Sequence, residues 1–364
     1  MTVTVAVDTT GADLGPAEVA EGAKLARSRA DVRITRFGPE AELQPVVAGV
    51  DGIDVVDAPL SIAKAADPAL AVRQHPEASI VRALRAVSSG DADTFVVAGA
   101  TGPALAAGLM HVRRAKGIHR PALALPLPTL GDPVTLLDVG ANVEARPDHL
   151  VQFAFMGAAL ARTVLGVRRP RVAVLSNGEE PTKGTPDVVE VHRLLAERLA
   201  GHPDVEWVGN VEGNVVLSGA ADVVVTDGFT GNVALKLIEG VSQTVVSGVR
   251  GAATSNPVAM LGGLLLKPAL NRFKAKIDPE ASGGAYLLGL RSLGVVPHGR
   301  FSREGFARAI VLAAQGHEQR ITGLLHEDLE AVGALRRPPA AVAAPSPQDG
   351  APAATGAGPD RPSG

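Results

Sequence analysis

Residues 222–240, DVVVTDGFTGNVALKLIEG, contain the clearest fold signal in the chain. The β-branched run 222–226 is typical of a strand buried on both faces, and the apolar positions that follow have helical spacing. Between them, Gly228 and Gly231 let backbone N–H groups approach a ligand, and Thr230 can cap a helix whose N-terminus attracts anions. The stretch predicts a strand, a turn and a helix. The turn is either ordinary turn chemistry or an anion site.

The same alternation recurs along the 364-residue chain. Amphipathic patterns at 17–30, 80–88, 104–115, 149–165 and 188–199 predict helices. Short apolar runs predict strands at 3–7, 32–37, 53–56, 94–98, 122–127, 134–138, 171–175, 205–209 and 222–226. Strands that alternate with helices predict βαβ units and an α/β fold with a mainly parallel sheet.

Composition narrows the classes of function. The formal net charge of −3 provides no broad basic field, so nucleic acid is not expected as a partner. The absence of cysteine excludes disulfides, thiolate zinc sites and a cysteine nucleophile. No motif suggests a bound metal. The N-terminus lacks a secretory signal and no apolar run approaches the roughly 20 residues of a membrane span, which predicts a cytoplasmic protein. Residues 337–364, rich in Pro, Ala and Gly, are expected to be disordered.

Five of the predicted strands end in loops that combine glycine with Asp, Asn, Thr or Lys. These loops read DTTGADLGP, AGATGPA, DVGANVE, SNGEEPTKGT and DGFTGN. Ligands of parallel sheets gather at the carboxyl ends of the strands, so we expect the five loops to line one cleft at one sheet edge. The chain lacks the G-x-G-x-x-G, P-loop, G-x-S-x-G and H-E-x-x-H motifs. The cleft would suit a phosphate and a second polar ligand.

The opening stretch, taken with LLDVGANVEARPDHLVQFAFMG, GIHRPALALPLPT, VGNVEG, LLKPAL and GGAYLLGL, resembles the bacterial acyl-ACP:phosphate acyltransferases, the PlsX family of phospholipid synthesis. The resemblance runs from about residue 3 to about residue 314. It implies a three-layer α/β/α fold with a mainly parallel, Rossmann-like sheet, related to phosphate acetyltransferases and isopropylmalate-type dehydrogenases. It also implies one α/β domain over 1–336, with 241–280 as a protruding helical hairpin, in a homodimer.

The activity implied by the resemblance is transfer of a fatty acyl group from acyl carrier protein to inorganic phosphate, without a metal or organic cofactor. The acyl phosphate product would serve phospholipid synthesis, with a membrane glycerol-phosphate acyltransferase as a downstream partner. This chemistry suits the residues. A thiol with a pKa of about 8.5 is a good leaving group, so the protein needs no nucleophile of its own. The protein must mainly hold two anionic reactants together.

Side chains in the glycine-rich loops are the candidates for catalysis. Lys183 is the first choice for neutralising phosphate, although it is equally a solvated loop lysine. Asn232 and Thr230 can donate to phosphate or to the oxyanion. Asp227 either orients a donor or bonds its own backbone. The remaining catalytic candidates are Lys236, four residues beyond Asn232 on the helix, and His298, a proton relay near neutral pH or a structural turn histidine.

The predicted substrate and phosphate site draws on the same loops. Asn142 is expected to shape the cleft rather than to react. The complete set is Asp8, Gly11, Asp13, Gly99, Thr101, Gly102, Asp138, Gly140, Asn142, Gly184, Gly228, Thr230, Gly231, Gly283 and Gly284.

The chain departs from the family pattern at several positions. Ala100 in AGATGPA replaces an asparagine of the family pattern. The chain also has DTTGAD where the family has DAMGGD, and PHG where the family has AHG. RQHPEASI at 73–80 replaces a basic, serine-rich stretch that would suit an acidic carrier protein. Two alternatives therefore stay open: a related enzyme that uses acyl-CoA, and a catalytically impaired paralogue that binds acyl carrier protein as a regulator.

Residues 257–277, PVAMLGGLLLKPALNRFKAKI, combine an apolar first half with a basic second half. Such a segment is too short to span a bilayer but suits the surface of an anionic one. The other interpretation is a helix pair buried at a dimer interface. The family resemblance implies a peripheral membrane contact through this hairpin.

Overall fold

The computed structural model describes residues 2–276 and 278–336, which form a large sheet covered by helices on both faces. The strands are β1 Val3–Asp8, β2 Val32–Gly38, β3 Ile53–Asp57, β4 Thr94–Val97, β5 Ala122–Leu127, β6 Val134–Leu137, β7 Arg171–Ser176, β8 Glu206–Glu212, β9 Val223–Val225, β10 Ala285–Leu288 and β11 Gly294–Val296. All nine predicted strands are confirmed, with ends that differ by at most three residues. The tail 337–364 lies outside the described residues.

The helices are α1 Pro16–Arg29, α2 Glu40–Val47, α3 Pro68–Gln74, α4 Ser79–Ser89, α5 Thr101–Ala107, α6 Pro147–Thr163, α7 Pro186–Arg198, α8 Gly228–Ala253, α9 Pro257–Lys276, α10 Arg303–Glu318 and α11 Ile321–Ala331. The five predicted helices correspond to α1, α4, α5, α6 and α7. A π-helical turn, Gly108–Val112, continues α5 and accounts for the longer pattern at 104–115.

Strand order in the sheet is β3-β2-β1-β4-β11-β10-β5-β6-β9-β7-β8. Seven of the ten neighbouring pairs are parallel, which confirms the mainly parallel sheet. The three antiparallel pairs, β11–β10, β10–β5 and β5–β6, are consecutive in the middle. Three reversals in a row make the two parallel groups run in opposite directions. The sequence analysis did not predict strands β10 and β11.

Two apolar layers enclose the sheet. One contains buried residues of α1, α2, α6, α7, α10 and α11, such as Val19, Phe153 and Ile310. The opposite layer contains α3, α4 and α5, represented by Val72, Leu84 and Ala104. Both faces of the sheet are therefore covered, as its continuous apolar strands require. The three-layer α/β/α architecture expected from the resemblance is confirmed.

A charged side chain lies inside the first half of the sheet. Arg36 of β2 is fully buried, between Val7 of β1 and Val55 of β3 in the strand register. All three guanidinium nitrogens lack a hydrogen-bond partner among the described residues. Burial lowers the pKa of Arg36 to about 10, opposed by the charge of Asp54. An unpaired buried cation opposes folding.

Helices α8 and α9 form a hairpin whose surface is largely apolar. Helix α8 is continuous from the turn after β9, and its first turns pack on the core through Ala234, Leu235 and Ile238. The protruding hairpin predicted at 241–280 begins within α8, beyond these residues. The exposed large apolar side chains of α8 and α9 include Val233, Leu237, Val241, Val245, Val258, Leu261, Leu264 and Leu265. Among residues 2–276 and 278–336, no helix is long and apolar enough to cross a membrane.

Candidate active site

The sheet topology separates the predicted site residues into two groups. We term the carboxyl ends of β1, β4 and β11 the first edge, and those of β6, β9 and β7 the second edge. The first edge holds Asp8, Gly11, Asp13, Gly99, Thr101, Gly102, Gly283, Gly284 and His298. The second edge holds Asp138, Gly140, Asn142, Lys183, Gly184, Asp227, Gly228, Thr230, Gly231, Asn232 and Lys236.

The expectation of five loops at one sheet edge is therefore wrong within a single chain. Strand β6 runs opposite to β4, because three antiparallel pairs lie between them. Periodicity reveals where strands lie but not which neighbour each one pairs with, and the antiparallel β10 was not recognised. Two cavities, of about 10 and about 520 Å³, are lined by neither group.

A closed hydrogen-bond network surrounds Asp8 at the first edge. Its Oδ1 accepts from Ser79 Oγ at 2.6 Å, Thr10 Oγ1 at 3.1 Å and Thr10 N at 3.3 Å. Thr10 Oγ1 also lies 2.7 Å from Ser79 Oγ. Burial raises the pKa of Asp8 to about 6, although these hydrogen bonds oppose the shift. The network joins the loop after β1 to the start of α4.

The other first-edge loops pack backbone against backbone. Asp13 N donates to Gly299 O at 2.8 Å, and Gly99, with φ +65°, leaves no room for a Cβ between Gly11 and Gly299. His298 is exposed and its Nδ1 accepts from Arg300 N at 3.1 Å. Ala100 is the N-cap of α5 and supplies no side-chain cap. An asparagine at this position, as in the family pattern, is a preferred capping residue.

Asp138 organises the loop after β6 at the second edge. Its Oδ1 accepts from the backbone N–H groups of Leu123, Gly140 and Ala141. Its Oδ2 accepts from Asn142 N and Nδ2, both at 2.8 Å. Asn142 Nδ2 also donates to Pro121 O at 2.8 Å. Both carboxylate oxygens of Asp138 and the Nδ2 group of Asn142 are thus used within the protein, and they fix the backbone of this loop.

The DGFTGN turn is held by its own aspartate. Helix α8 begins at Gly228 and Asp227 is its N-cap, with Oδ1 accepting from Thr230 N at 2.8 Å and Oδ2 from Thr230 Oγ1 at 2.7 Å. The prediction that Thr230 caps the helix is wrong, because the helix starts two residues earlier. Gly228 N donates to Asn142 O at 2.7 Å. A carboxylate already occupies the helix terminus that attracts anions, which disfavours a phosphate directly against this turn.

Lys183 lies on the loop between β7 and α7. It is exposed, and its amine forms no ion pair with any residue in the described ranges. A Cβ on Gly178 would lie 2.6 Å from Lys183 Cγ, so this glycine makes room for the lysine stem. Asn210 Nδ2 donates to Glu180 O at 2.8 Å and ties the loop to β8. The Lys183 amine is therefore unpaired with described residues, on a loop that is held in place by its hydrogen bond to β8.

Ser176, the last residue of β7, is a site residue that the sequence analysis missed. Its Oγ is buried without a hydrogen-bond partner among the described residues. A Cβ on Gly184 would lie 3.0 Å from this oxygen. Strands β7 and β9 pair as Val174 with Val225, so Ser176 lies alongside the turn at Asp227. The only available signal was its place at the strand end in SNGEEPTKG, which also applies to ordinary turn serines.

Asn232 and Lys236 differ in their surroundings, although both are exposed on the first turns of α8. The Asn232 side chain lies over Gly140, where an added Cβ would be 3.9 Å from Asn232 Oδ1. Lys236 Nζ lies 2.8 Å from Glu239 Oε2. Asn232 is thus next to the loop after β6, while Lys236 is paired along its own helix.

Nearly the whole chain, with both edges of the sheet, matches a known family. Residues 3–322 match the family model described as "Fatty acid synthesis protein". The chain belongs to this family. It corresponds to the PlsX family indicated by the sequence motifs, and the protein is an acyltransferase of lipid synthesis.

Curated relatives of the family extend over most of the chain. A phosphate acyltransferase of Latilactobacillus sakei is 43% identical over 299 residues, which cover 81% of this chain and 88% of that protein. A phosphate acyltransferase of Geobacillus sp. strain WCH70 is 41% identical over 328 residues, covering 90% of this chain and 98% of the relative.

Solved structures support the fold. The EutD phosphotransacetylase from Staphylococcus aureus superposes with a TM-score of 0.57 at 18% identity, over 87% of this chain and 94% of that one. A phosphotransacetylase from Streptococcus pyogenes gives a TM-score of 0.58 at 17% identity, with the same coverage. The expected relation to the phosphate acetyltransferase fold is confirmed.

Proposed function

We propose that the protein transfers a fatty acyl group from acyl carrier protein to inorganic phosphate, and that the reaction takes place at the second edge. The observation that carries this proposal is the unpaired Lys183 on a tethered loop. The next residue, Gly184, lies against the buried Ser176 hydroxyl, which has no hydrogen-bond partner among the described residues. The relatives named phosphate acyltransferase support phosphate and an acyl donor as substrates.

In the proposed reaction, a phosphate oxygen attacks the thioester carbonyl. The C–O bond forms as the C–S bond breaks, the acyl phosphate is released, and the carrier leaves as its thiolate. Lys183 neutralises the phosphate, and the Asn232 amide donates to the carbonyl oxygen as negative charge builds there. Ser176 contributes a hydroxyl donor to the phosphate. Holding both reactants together lowers the barrier by as much as roughly 7 to 11 kcal/mol.

In this proposal the phosphate is bound without the N-terminus of α8. Asp227 caps that terminus and Asp138 saturates the amides of residues 140–142. Lys183, Ser176 and Asn232 then supply the donors that these amides cannot. Asp8, Asp13 and His298 at the first edge join this site only if a second copy of the chain brings its first edge close, which accords with the proposed homodimer.

The proposed setting is the cytoplasm, with the α8–α9 hairpin resting on the inner face of the membrane. The hairpin carries exposed apolar residues on α9, including Leu264 and Leu265, and Lys267 and Arg272 beyond them. Apolar side chains beside cations suit the surface of an anionic bilayer. This placement would deliver acyl phosphate to a membrane glycerol-phosphate acyltransferase.

The test is to supply the purified protein with acyl carrier protein thioester and phosphate, and to trap acyl phosphate with hydroxylamine. We expect acyl hydroxamate that depends on both substrates, and a large loss in the Lys183→Met variant. An acyl-CoA donor that competes better than the carrier thioester would assign the enzyme to the alternative donor class.

A regulatory paralogue is the second candidate function, and Ala100 is the observation that favours it. The N-cap of α5 lacks a side-chain cap where the family pattern has asparagine. Carrier binding without any hydroxamate product would support the regulator and contradict the enzyme.

A further inference from the structure

A group of exposed cations borders the second edge without forming salt bridges. We term it the basic patch: Arg113, Arg114, Lys116, Arg120, Arg146 and Arg336. None of the six is within ion-pair distance of a carboxylate among the described residues. By contrast, exposed arginines elsewhere pair closely, as in Arg29–Glu304 at 2.7 Å and Arg193–Glu190 at 2.7 Å.

The basic patch is one surface, assembled around two histidines. The rings of His119 and His149 lie 5.5 Å apart. Arg336 N donates to Gly117 O at 2.7 Å, which brings the end of the described chain against the 113–120 loop. Burial lowers the pKa of both histidines, and the charges of neighbouring arginines, opposed by Asp148, add to the effect. Near neutral pH the positive charge of the patch therefore comes from arginine and lysine.

The basic patch adjoins the candidate active site through the chain itself. Arg120 precedes Pro121, whose carbonyl accepts from Asn142 Nδ2 at 2.8 Å. Arg146 follows the 138–142 loop and is the N-cap of α6. An object docked on the patch would thus lie against the loop that Asp138 holds.

The acidic groups facing the patch are few. Glu144 and Asp148 are exposed on the segment between the 138–142 loop and α6, and neither forms an ion pair with a described residue. Six cations against two carboxylates leave a positive field on a chain whose formal net charge is −3. Such a concentration of unpaired charge beside an active site steers partners of opposite charge and fixes their orientation.

We propose that the basic patch is the docking surface for an acidic acyl carrier protein, which presents its thioester to the second edge. This inference rests on the proposed function. It also locates carrier docking away from residues 73–80, where the family's basic stretch is replaced and where Ser79 bonds to Asp8 at the first edge.

The test is a charge reversal of three patch residues, Lys116→Glu, Arg120→Glu and Arg336→Glu. None of these side chains makes a hydrogen bond to a described residue, and none belongs to the proposed catalytic groups. With the carrier thioester as donor, we expect KM to rise at least about tenfold and kcat to change less than about twofold, because long-range attraction acts mainly on association. The dependence of kcat/KM on salt should weaken in parallel.

A matched control reverses the charge of three other residues by the substitutions Lys64→Glu, Arg73→Glu and Arg168→Glu. These residues are exposed, unpaired with described residues and outside the basic patch. Both triple variants change the net charge equally. Similar KM values for the two variants would overturn the proposal, because the effect would then come from net charge. Thermal melting of both variants, with transitions close to that of the parent protein, confirms that the comparison is between folded proteins.

Two further measurements separate the carrier from other anions. With acyl-pantetheine, a donor that has no carrier, the patch variant should match the parent enzyme; an equal loss would overturn carrier docking. Loss of binding to phosphatidylglycerol vesicles, with an unchanged KM for the carrier thioester, would assign the patch to lipid and also overturn it.

Direct binding keeps this inference distinct from the proposed function. Fluorescence anisotropy with a labelled carrier that holds no acyl group should show weaker binding to the patch variant than to the matched control. If the parent protein makes no hydroxamate but this difference persists, the catalytic proposal fails and the docking surface stands.

Discussion

The two carboxyl edges of the sheet are built from similar loops, yet their polar groups end in different states. At the first edge, Asp8, Thr10 and Ser79 bond one another in a closed network. At the second edge, Asp138 and Asp227 are equally saturated, but Lys183 and the Ser176 hydroxyl remain without partners. Polar residues in similar glycine-rich loops therefore differ, and those whose hydrogen-bonding capacity the fold leaves unused are the candidates for ligand binding.

The largest effect should come from the unpaired lysine. Lys183→Met should lower kcat about 10²- to 10³-fold, since it removes a charge aimed at the developing anion. Lys236→Met is the matched control, because Lys236 is already paired with Glu239 and should lose less than about threefold. His298→Ala probes the first edge in the same hydroxamate assay. A loss at His298 as large as at Lys183 would show that the two edges act together.

The second prediction concerns the frame of the second edge. A Cβ on Gly231 would lie 1.9 Å from the carbonyl oxygen of Asp138, a backbone atom that cannot easily move. Gly231→Ala should lower the free energy of unfolding by about 3 kcal/mol or more and also displace the loop beside Asn232. Gly240→Ala, later in the same helix, has open space around it and should be neutral or slightly stabilising. Urea titration of the two variants measures their free energies of unfolding. Equal values would contradict the close contact at Gly231.

The third prediction uses acid to probe the first edge. The folded protein holds the Asp8 proton up to a pKa of about 6, against 3.8 for a free carboxyl. The folded state therefore binds more protons than the unfolded state between these values. As pH rises through that window, the free energy of unfolding falls by about 3 kcal/mol, and it is level above it.

Asp8→Asn should remove this dependence while its oxygen still accepts from Ser79 and Thr10. Thermal melts of both proteins between about pH 4 and about pH 7 should show that Asp8→Asn gains stability relative to the parent protein as pH rises. Parallel curves would mean that Asp8 does not titrate in this range and that the first edge is less closed than its hydrogen bonds indicate.

The smallest predicted effect concerns Arg36, which is buried in strand β2 of the sheet. Arg36→Met replaces a buried, unpaired guanidinium with an apolar side chain and should raise the free energy of unfolding by about 1 to 2 kcal/mol. Arg33→Met, on the same strand but exposed, should change it by less than about 0.5 kcal/mol. Destabilisation by Arg36→Met would show that the guanidinium has a bound partner, such as water or an ion.

The sequence predicted nine of the eleven described strands and the helices α1, α4, α5, α6 and α7, because their apolar periodicity is local, but it missed α10 and α11. It also located the glycine-rich loops at the ends of strands, and the family resemblance indicated an acyltransferase, as the comparisons with relatives then showed. The sequence did not predict the strand order. The reversal depends on β10, whose four residues follow the α8–α9 hairpin and are far in sequence from their partners in β5. The expectation of one cleft failed for that reason.

Local hydrogen-bond states were equally out of reach. Asp138 and Lys183 are both polar residues in glycine loops, and only coordinates show that one is saturated and the other free. The capping role of Asp227 was open in the sequence because Thr230 is also a good capping residue. Choosing between them requires the residue at which the helix begins.

Helix α8 is one continuous helix that links the DGFTGN turn to the outer hairpin. Its 26 residues begin at Gly228, so the helix is about 39 Å long. Asn232 lies only about 6 Å along it from its first residue. A tilt of about 10° about Asp227 would swing the far end by about 7 Å but shift Asn232 by about 1 Å. A movement of several ångströms at the tip of the hairpin would therefore move Asn232 by only about 1 Å. A displacement of that size is enough to break or form a hydrogen bond.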